Sequence, residues 1–237
     1  MAMELVEVVP GLYLLRFTNT NTHLLNAYLW CDDDGVTVID TGAAGSGPVV
    51  RAALKQVGRR PQDVTRVVLT HFHEDHTGSA AEVADWAGAT VIAGSADAPV
   101  IRGDIPGPAA VFTQAEQALF AQVSAGLPAA PPCQVDQELH DGDRLDFAGG
   151  AEVLSVPGHT AGSIALHLPR HGVLLAGDTI AEGDGQALLG PFNVDRDQAW
   201  ESLHRQAALD VEVACVGHSN PIRDARSALR AAVDPFA

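Results

Sequence analysis

The chain has 237 residues, of which 46% are hydrophobic and 19% are charged, so it can bury a packed core and shows no sign of wholesale disorder. The net charge is −16, from 14 Lys and Arg against 30 Asp and Glu, and this negative field would repel a nucleic acid. No apolar stretch approaches the roughly 20 residues of a membrane span, so neither a nucleic acid nor a membrane is an expected partner.

The N-terminal run and the cysteines indicate a reducing compartment. The segment "MAMELVEVVPGLYLLRF" carries Glu4 and Glu7 where a signal peptide would need a basic start. The three cysteines, Cys31, Cys133 and Cys215, are odd in number and form no CxxC pair, which argues against a disulfide framework or a zinc ribbon. We therefore expect a cytoplasmic protein whose cysteines are small, buried, apolar residues.

The first half of the chain alternates strands and helices. Strands are predicted in "LLNAYLW" and "VTVID", which "CDDDG" joins in a hairpin. A helix over "PVVRAALKQVG", a strand over "VTRVVLT", a helix over "TGSAAEVADWAGA" and a strand over "TVIAG" follow. This alternation favours an α/β layered fold.

The second half repeats that rhythm. Short strands are predicted in "GDRLDF", "AEVLSVPG", "SIALHLP" and "VLLAGDTI", followed by an amphipathic helix, "RDQAWESLHRQAALD". A strand, "VEVACVG", and a helix, "DARSALRAAV", come last. No Ser-rich or Gly-rich linker separates the halves, so we predict a single domain over residues 1–237.

The segment of residues 96–132 departs from the pattern, because prolines surround one short helical patch, "QAEQALFAQV". We interpret it as a lid or insertion near a functional site. Its apolar side chains either pack the segment onto the body of the domain, which is the simpler interpretation, or line an apolar substrate pocket. These side chains are Ile101, Ile105, Val111, Phe112 and Phe120.

A dense group of coordinating side chains follows the strand "VTRVVLT", in "THFHEDHTGSA". His71 and His73 are two residues apart, so at a strand end they can project the same way. Asp75 and His76 follow as the chain turns into a helix. Open α/β sheets place their sites at the carboxyl ends of strands. Clustered imidazoles and a carboxylate suit zinc, and also iron or manganese.

Four further polar residues each follow an apolar strand: Asp40 in "IDTGA", His159 in "PGHTAGS", Asp178 in "AGDTI" and His218 in "GHSNP". A glycine precedes the last three, which lets the backbone approach a ligand closely. Taken alone, such a residue is more often an ordinary surface or core side chain. Together with the histidine cluster, these residues are expected partners in one metal site.

The run "THFHEDHTG", with "PGHT", "GDT" and "GH" downstream and "VIDTG" upstream, resembles the metallo-β-lactamase superfamily of metallohydrolases. The order and spacing match from about Asn26 to His218. The resemblance implies a four-layer αββα sandwich, with the site in the cleft between its two sheets. It also accounts for the repeated rhythm of the two halves.

The resemblance also implies a ligand set for two divalent metal ions, most readily zinc, with iron or manganese as alternatives. It assigns His71, His73 and His159 to one ion, Asp75, His76 and His218 to the other, and Asp178 to a bridge between them. Asp40 resembles the aspartate that orients a ligating histidine in this family, which fixes the tautomer and ring orientation of that histidine.

The expected chemistry is hydrolysis of a small-molecule ester, thioester or lactone. Bound metals lower the pKa of water from about 15.7 towards 7, and the hydroxide so formed attacks a carbonyl. Asp75 is the candidate catalytic residue, because it can hold the nucleophile or shuttle its proton. Glu74 is interpreted as a surface acid. His73 occupies a position where flavodiiron-type members carry glutamate, which favours hydrolysis over oxygen reduction.

Several alternatives within the superfamily are disfavoured by particular residues. Arg223 is the only basic candidate to hold the carboxylate of a β-lactam, and "GDTIAEGDG" lacks the tyrosine of quorum-signal lactonases. Glyoxalase II resembles this core but adds a helical C-terminal domain with basic residues for glutathione, which is not expected here because this chain stops soon after "DARSALRAAVDPFA". His23 is interpreted as a surface histidine, with a place at the mouth of the cleft as the alternative.

Two other classes of function stay open. One is a mononuclear iron enzyme of the persulfide-dioxygenase kind, with His71, His73 or His159 and Asp178 around one iron. The other is a catalytically silent metal-binding or scaffold protein, which the full ligand set argues against.

Overall fold

The computed structural model describes residues 2–18 and 24–237, so His23 lies outside the described residues. The chain divides into two compact units. The first consists of Met1–Pro106 and Gly126–Leu139, and the second of Gly107–Ala125 and His140–Ala237. The single domain over residues 1–237 stays a prediction.

The first unit is built on a sheet that has seven strands within the described residues, arranged in chain order. The strands are β1 (Ala2–Val9), β2 (Leu12–Thr18), β3 (Leu24–Asp32), β4 (Gly35–Ile39), β5 (Val64–Leu69), β6 (Thr90–Gly94) and β7 (Gln137–Leu139). Neighbours from β1 to β4 are antiparallel, and those from β4 to β7 are parallel. The carboxyl ends of β4, β5 and β6 therefore meet at one edge of the sheet.

Helices cover this sheet through an apolar core. They are α1 (Gly47–Gln56), α2 (Glu74–Thr77), α3 (Ala80–Asp85) and α4 (Ala98–Ile101), and a 3-10 turn, Pro61–Asp63, leads into β5. In α1, the buried Val50 and Leu54 share a face four residues apart and pack in the same core as Val38 and Val67 of β4 and β5. The helix predicted over "TGSAAEVADWAGA" is interrupted at Gly78, a poor helix former.

The second unit contains, among the described residues, a six-stranded sheet in the order β15-β14-β11-β10-β9-β8, and a separate hairpin of β12 and β13. The strands are β8 (Arg144–Leu145), β9 (Ala151–Ser155), β10 (Ile164–Leu168), β11 (Val173–Gly177), β12 (Ile180–Gly183), β13 (Gln186–Leu189), β14 (Val213–Val216) and β15 (Ile222–Arg223). Strands β11 and β14 are parallel. Strand β9 runs in the same direction as β11, because both are antiparallel to β10.

The helices of the second unit are α5 (Gln114–Val123), α6 (Arg196–Ala207) and α7 (Ala225–Arg230). Ala199 and Leu203 on α6 and Leu229 on α7 pack in one core with Leu174 of β11 and Val216 of β14. None of the helices in the described part of the chain has the length and apolar character that crossing a membrane requires.

Most predicted elements are present, with ends shifted by a few residues. "GDRLDF" is the weakest, since only Arg144–Leu145 forms a strand there. Strands β1 and β2 were not predicted, although exposure alternates from Met3 to Val6 in β1. The β12–β13 hairpin was also not predicted, because "IAEG" and "QALL" offer only four residues each.

The segment 96–132 is shared by the two units. Ile101 is buried in the core of the first unit, so it lines no pocket, whereas Ile105 and Val111 are exposed. In the second unit, the ring of Phe120 lies 4.8 Å from that of Phe112 and 5.3 Å from that of Phe192. These ring contacts support packing as the role of Phe112 and Phe120.

Glu116 anchors α5 to the rest of the second unit. Its carboxylate and the hydroxyl of Thr113 form a reciprocal cap, with Thr113 N–H donating to Oε2 at 2.8 Å. Its Oε1 accepts a hydrogen bond from the backbone of Phe192 at 3.0 Å and pairs with the guanidinium of Arg196 at 2.5 Å. Burial raises the pKa of Glu116, but the hydrogen bonds from Thr113, Phe192 and Arg196 outweigh it and hold the pKa below its usual range.

We predict that Glu116→Ala lowers the free energy of unfolding by about 3 kcal/mol, because it leaves Arg196 and two backbone donors without their buried carboxylate. Urea denaturation at neutral pH measures this loss. The matched control is Gln117→Ala, an exposed residue on the same helix, which should change stability by less than about 0.5 kcal/mol.

The same contribution should depend on pH. A carboxyl group with a lowered folded-state pKa stabilises the fold fully above its unfolded-state pKa of about 4.3, and this stabilisation is lost as the pH falls through the folded-state pKa. The stability difference between the wild type and Glu116→Gln should therefore shrink on acidification. A difference that stays constant from neutral pH down to acid would contradict this account of Glu116.

Candidate metal centre

The first cluster of candidate ligands lies at the carboxyl ends of β4 and β5. Ile39 of β4 pairs with Val68 of β5, so Asp40 and the Thr70–His71 step emerge side by side. His71 and His76 are almost completely buried, at 1% and 0% exposure. The site therefore lies on a rigid frame, as the sequence predicts for the end of a parallel strand.

The predicted ligands after β5 converge within the first unit. The His71 ring lies 4.7 Å from that of His73 and 4.2 Å from that of His76, measured between centroids. A ring nitrogen of His71 lies within 4.8 Å of a ring nitrogen of His73, and a ring nitrogen of His71 lies within 4.8 Å of a ring nitrogen of His76. Asp75 Oδ2 lies 3.9 Å from His76 Nε2. Glu74, between these residues, is exposed, in agreement with its interpretation as a surface acid.

Asp40 holds His76 in place from the neighbouring strand. Its Oδ2 lies 2.8 Å from His76 Nδ1, and its Oδ1 accepts a hydrogen bond from the backbone N–H of Thr70 at 2.8 Å. A carboxylate can only accept here, so Nδ1 of His76 carries the proton and the ring's lone pair is on Nε2. This is the nitrogen that faces Asp75.

Asp97 is a positioning residue that the sequence analysis missed. It lies three residues beyond the end of β6, is 1% exposed, and accepts a hydrogen bond from the backbone N–H of Phe72 at 3.0 Å. It thereby fixes the turn between His71 and His73. The signal was available, because the rule that pointed to Asp40 and His71, a polar residue after a parallel strand, also applies to β6.

The second cluster lies at the carboxyl ends of β11 and β14. These strands are parallel, and the backbone N–H of Gly217 donates to the carbonyl of Gly177 at 3.0 Å. Asp178 and His218 follow those two glycines, with His218 Nε2 at 3.2 Å from Asp178 Oδ2. His159 Nε2 lies 4.0 Å from the same oxygen. The second unit thus brings two predicted histidine ligands to the carboxylate of a third predicted ligand, Asp178.

A backbone group fixes the tautomer of His159. Its Nδ1 lies 3.1 Å from the carbonyl oxygen of Pro191, which can only accept, so the proton is on Nδ1 and the lone pair is on Nε2. Gly158, before it, has φ +128°, and a Cβ there would lie 2.1 Å from the backbone nitrogen of Ala199. Close packing on α6 therefore explains this glycine, rather than the approach of a ligand.

Gly190 packs against the backbone of Asp178 and directly precedes Pro191, whose carbonyl contacts His159. A Cβ at this position would lie 1.7 Å from the carbonyl oxygen of Asp178, so no side chain fits without moving that residue. Its own N–H donates to the carbonyl of Thr179 at 3.1 Å, and it precedes Pro191. No sequence pattern indicates the roles of Gly190 and Pro191, because both act through the backbone.

Several side chains outside the two clusters have ordinary local roles. His167 contacts Glu152 through Nδ1 at 3.2 Å, and His140 is largely exposed. Burial raises the pKa of Cys133 to about 11, so its thiol stays protonated and is a poor ligand or nucleophile. Arg223, the only basic candidate for holding a β-lactam carboxylate, is exposed on β15.

Both clusters offer the chemistry of a metal site. Buried imidazoles with their lone pairs on Nε2 and nearby carboxylates are donors that zinc, iron and manganese accept. Protonated on both nitrogens, such closely spaced rings would repel one another. Neutral rings next to carboxylates instead attract a cation.

Comparisons with known proteins identify the family to which the chain belongs. Residues 21–218 match the family model described as the Metallo-beta-lactamase superfamily. The chain is 31% identical over 211 residues to a Hydroxyacylglutathione hydrolase of Rhizobium meliloti, a match that covers 86% of this chain and 68% of that protein. It is 32% identical over 212 residues to a Hydroxyacylglutathione hydrolase of Ruegeria pomeroyi, covering 88% and 67%. The chain thus spans about two thirds of the length of these relatives.

A solved structure is also similar. A metallo-beta-lactamase family protein from Thermus thermophilus matches with a TM-score of 0.73 and 29% identity, over 95% of this chain and 79% of that one. Together with the family match, this likeness confirms the predicted α/β sandwich of the metallo-β-lactamase type.

We predict that Gly190→Ala displaces Asp178, because the new methyl group collides with the carbonyl oxygen of that residue. The expected loss of stability is about 1–3 kcal/mol, accompanied by reduced metal content of the purified protein. The matched control is Gly183→Ala on β12, where a Cβ meets only the flexible Leu188 side chain, at 3.0 Å. Equal effects of the two substitutions would show that Gly190 has no particular role in placing Asp178.

Proposed function

Because the chain belongs to the metallo-beta-lactamase superfamily, a family of metal-dependent hydrolases, we propose that it hydrolyses a small-molecule thioester at a centre of two divalent cations. The main support for this proposal is that this chain is 31% identical to a Hydroxyacylglutathione hydrolase. The same chain carries two clusters of metal donors, each at the carboxyl ends of parallel strands.

We propose that both clusters bind the same pair of cations, as the resemblance implies. His71, His73 and His159 hold one cation; Asp75, His76 and His218 hold the other; Asp178 bridges them. The hydrogen bonds within each unit support this assignment. His76 and His159 each present Nε2 because Nδ1 donates to an oxygen, and such outer partners fix the tautomer of ligating histidines.

The donor set fits two divalent cations in charge as well as in atom type. Asp75 and Asp178 supply two negative charges directly, and the buried Asp40 supplies a third next to His76. Neutral imidazoles supply lone pairs without adding repulsion. Zinc accepts this mixture of nitrogen and oxygen donors most readily, with iron and manganese as the alternatives.

When bound, such cations lower the pKa of a water molecule and polarise the carbonyl under attack. The Asp75 carboxylate is partly exposed, whereas its neighbour His76 is fully buried, so water can reach Asp75. We propose that Asp75 orients the attacking water and accepts its proton. Thioester hydrolysis then consumes that water and releases a carboxylic acid and a thiol.

The identity of the thiol in the thioester substrate does not follow from the metal centre. The relatives named Hydroxyacylglutathione hydrolase are longer than this chain, which spans about two thirds of their length. We therefore propose the hydroxyacyl thioester as the substrate class and treat glutathione as one candidate thiol. We further propose a cytoplasmic setting, which suits Cys31, Cys133 and Cys215, because none of them forms a disulfide in the described part of the chain.

We predict that His71→Ala and His218→Ala, one from each cluster, each remove bound metal and lower kcat/KM for a hydroxyacyl glutathione thioester more than about 100-fold. Loss of an outer partner alone typically costs 10–100-fold, and loss of a ligand should cost more. Metal per chain is measured by plasma mass spectrometry, with about two ions expected for the wild type. The control is His140→Ala, since 71% of the His140 side chain is exposed.

The outcome of this experiment distinguishes the alternatives. One iron per chain with oxygen consumption on a persulfide would replace the hydrolase by the dioxygenase class. Metal bound at full stoichiometry without turnover of thioesters, esters, lactones or a chromogenic β-lactam would favour a silent metal-binding protein. Wild-type activity in either ligand variant would contradict the assigned centre.

A further inference from the structure

Thr70, the residue between the strand β5 and His71, contacts both Asp40 and His71. It is 2% exposed, and its Oγ1 lies 2.8 Å from Asp40 Oδ2 and 3.0 Å from His71 Nδ1. The same Asp40 oxygen lies 2.8 Å from His76 Nδ1. We propose that the Thr70 hydroxyl acts as a relay, a hydrogen-bonded link between the Asp40 carboxylate and His71. Through this relay, one buried carboxylate fixes the tautomers of two histidines.

The direction of each hydrogen bond follows from the number of protons available. A carboxylate has no proton to give, so the hydroxyl of Thr70 must donate to Asp40. A hydroxyl has only one proton, so on its other side Thr70 must accept. The partner there is His71 Nδ1, which therefore carries the proton and leaves the ring's lone pair on Nε2.

The relay gives His71 and His76 the same tautomer by different routes. Asp40 accepts directly from His76 and acts on His71 through Thr70. The backbone N–H of Thr70 also donates to Asp40 Oδ1 at 2.8 Å, which fixes the position of the carboxylate relative to the end of β5. In the relay the His71 proton is on Nδ1, whereas a proton on Nε2 would block a metal.

Residue 70 must therefore carry a hydroxyl on its β-carbon, a requirement that packing alone does not impose. Valine has nearly the shape of threonine but has no hydroxyl, whereas serine keeps the hydroxyl and loses a methyl group. The relay rests on the proposed function only in treating His71 and His76 as metal ligands. The tautomer itself is a property of the metal-free chain, so its measurement can fail or succeed independently of hydrolase activity.

The test is nitrogen NMR of the full chain, labelled with 15N on histidine and stripped of metal by a chelator, at about pH 8.5, where neutral imidazoles dominate. Two-bond and three-bond couplings distinguish a proton on Nδ1 from one on Nε2. The His71 signal is assigned by its loss in His71→Gln. We expect His71 and His76 both protonated on Nδ1 in the wild type, and His71 protonated on Nε2, or exchanging between the two, in Thr70→Val.

Matched variants separate the relay from a structural effect. Thr70→Ser should keep the wild-type tautomer. Thr77→Val removes another buried hydroxyl nearby, one whose oxygen lies 3.1 Å from the backbone carbonyl of His73, and should leave both rings unchanged. In a zinc titration against a chromogenic chelator, Thr70→Val should weaken one of the two binding events by about 10–100-fold, while Thr70→Ser should stay close to the wild type.

Two results would overturn the relay. One is a wild-type His71 with its proton on Nε2, a result that needs no variant and so does not depend on whether Thr70→Val folds. The other is a folded Thr70→Val in which His71 keeps its proton fixed on Nδ1. Loss of thioester hydrolysis with the predicted tautomers intact would count against the proposed function and leave the relay standing.

Discussion

The hydrogen bonds that converge on the buried Asp40 carboxylate are the interaction on which the first cluster depends. Asp40 is 3% exposed and has φ +57°, so the chain holds a charged side chain in the interior with a backbone conformation that few residues adopt. A buried charge is tolerated only where donors surround it. Thr70 provides two of these donors and His76 the third, so the charge and the histidines stabilise one another.

The second cluster meets the same requirement with backbone groups. The carbonyl oxygen of Pro191 fixes the His159 ring, and Gly190 allows the chain to pass against the backbone of Asp178. The loop that carries both residues continues to Phe192, whose N–H donates to Glu116 of α5. The segment predicted as a lid is therefore joined by hydrogen bonds, in part, to the loop that orients a candidate ligand.

Sequence reasoning found the side chains that carry chemistry because they follow apolar strands in a regular way. His71, Asp178 and His218 each come directly after a strand or one residue beyond it, and a strand end is visible in a sequence. It missed the groups that act through the backbone, since nothing in the letters shows that a proline carbonyl faces a histidine. It also missed the strands β1 and β2, although the turn dipeptide Pro10-Gly11 separates them. Asp97 is harder to find, because it lies three residues beyond the end of β6 rather than directly after it.

The central proposal is that donors from both clusters hold one pair of cations. Anomalous X-ray diffraction at the zinc edge, from crystals of the full chain grown with zinc, tests it most directly. The account predicts two adjacent peaks, one ligated by His71, His73 and His159, the other by Asp75, His76 and His218, with Asp178 contacting both. Two separate peaks, each bounded by residues of a single cluster, or the absence of any peak at these residues, would contradict it.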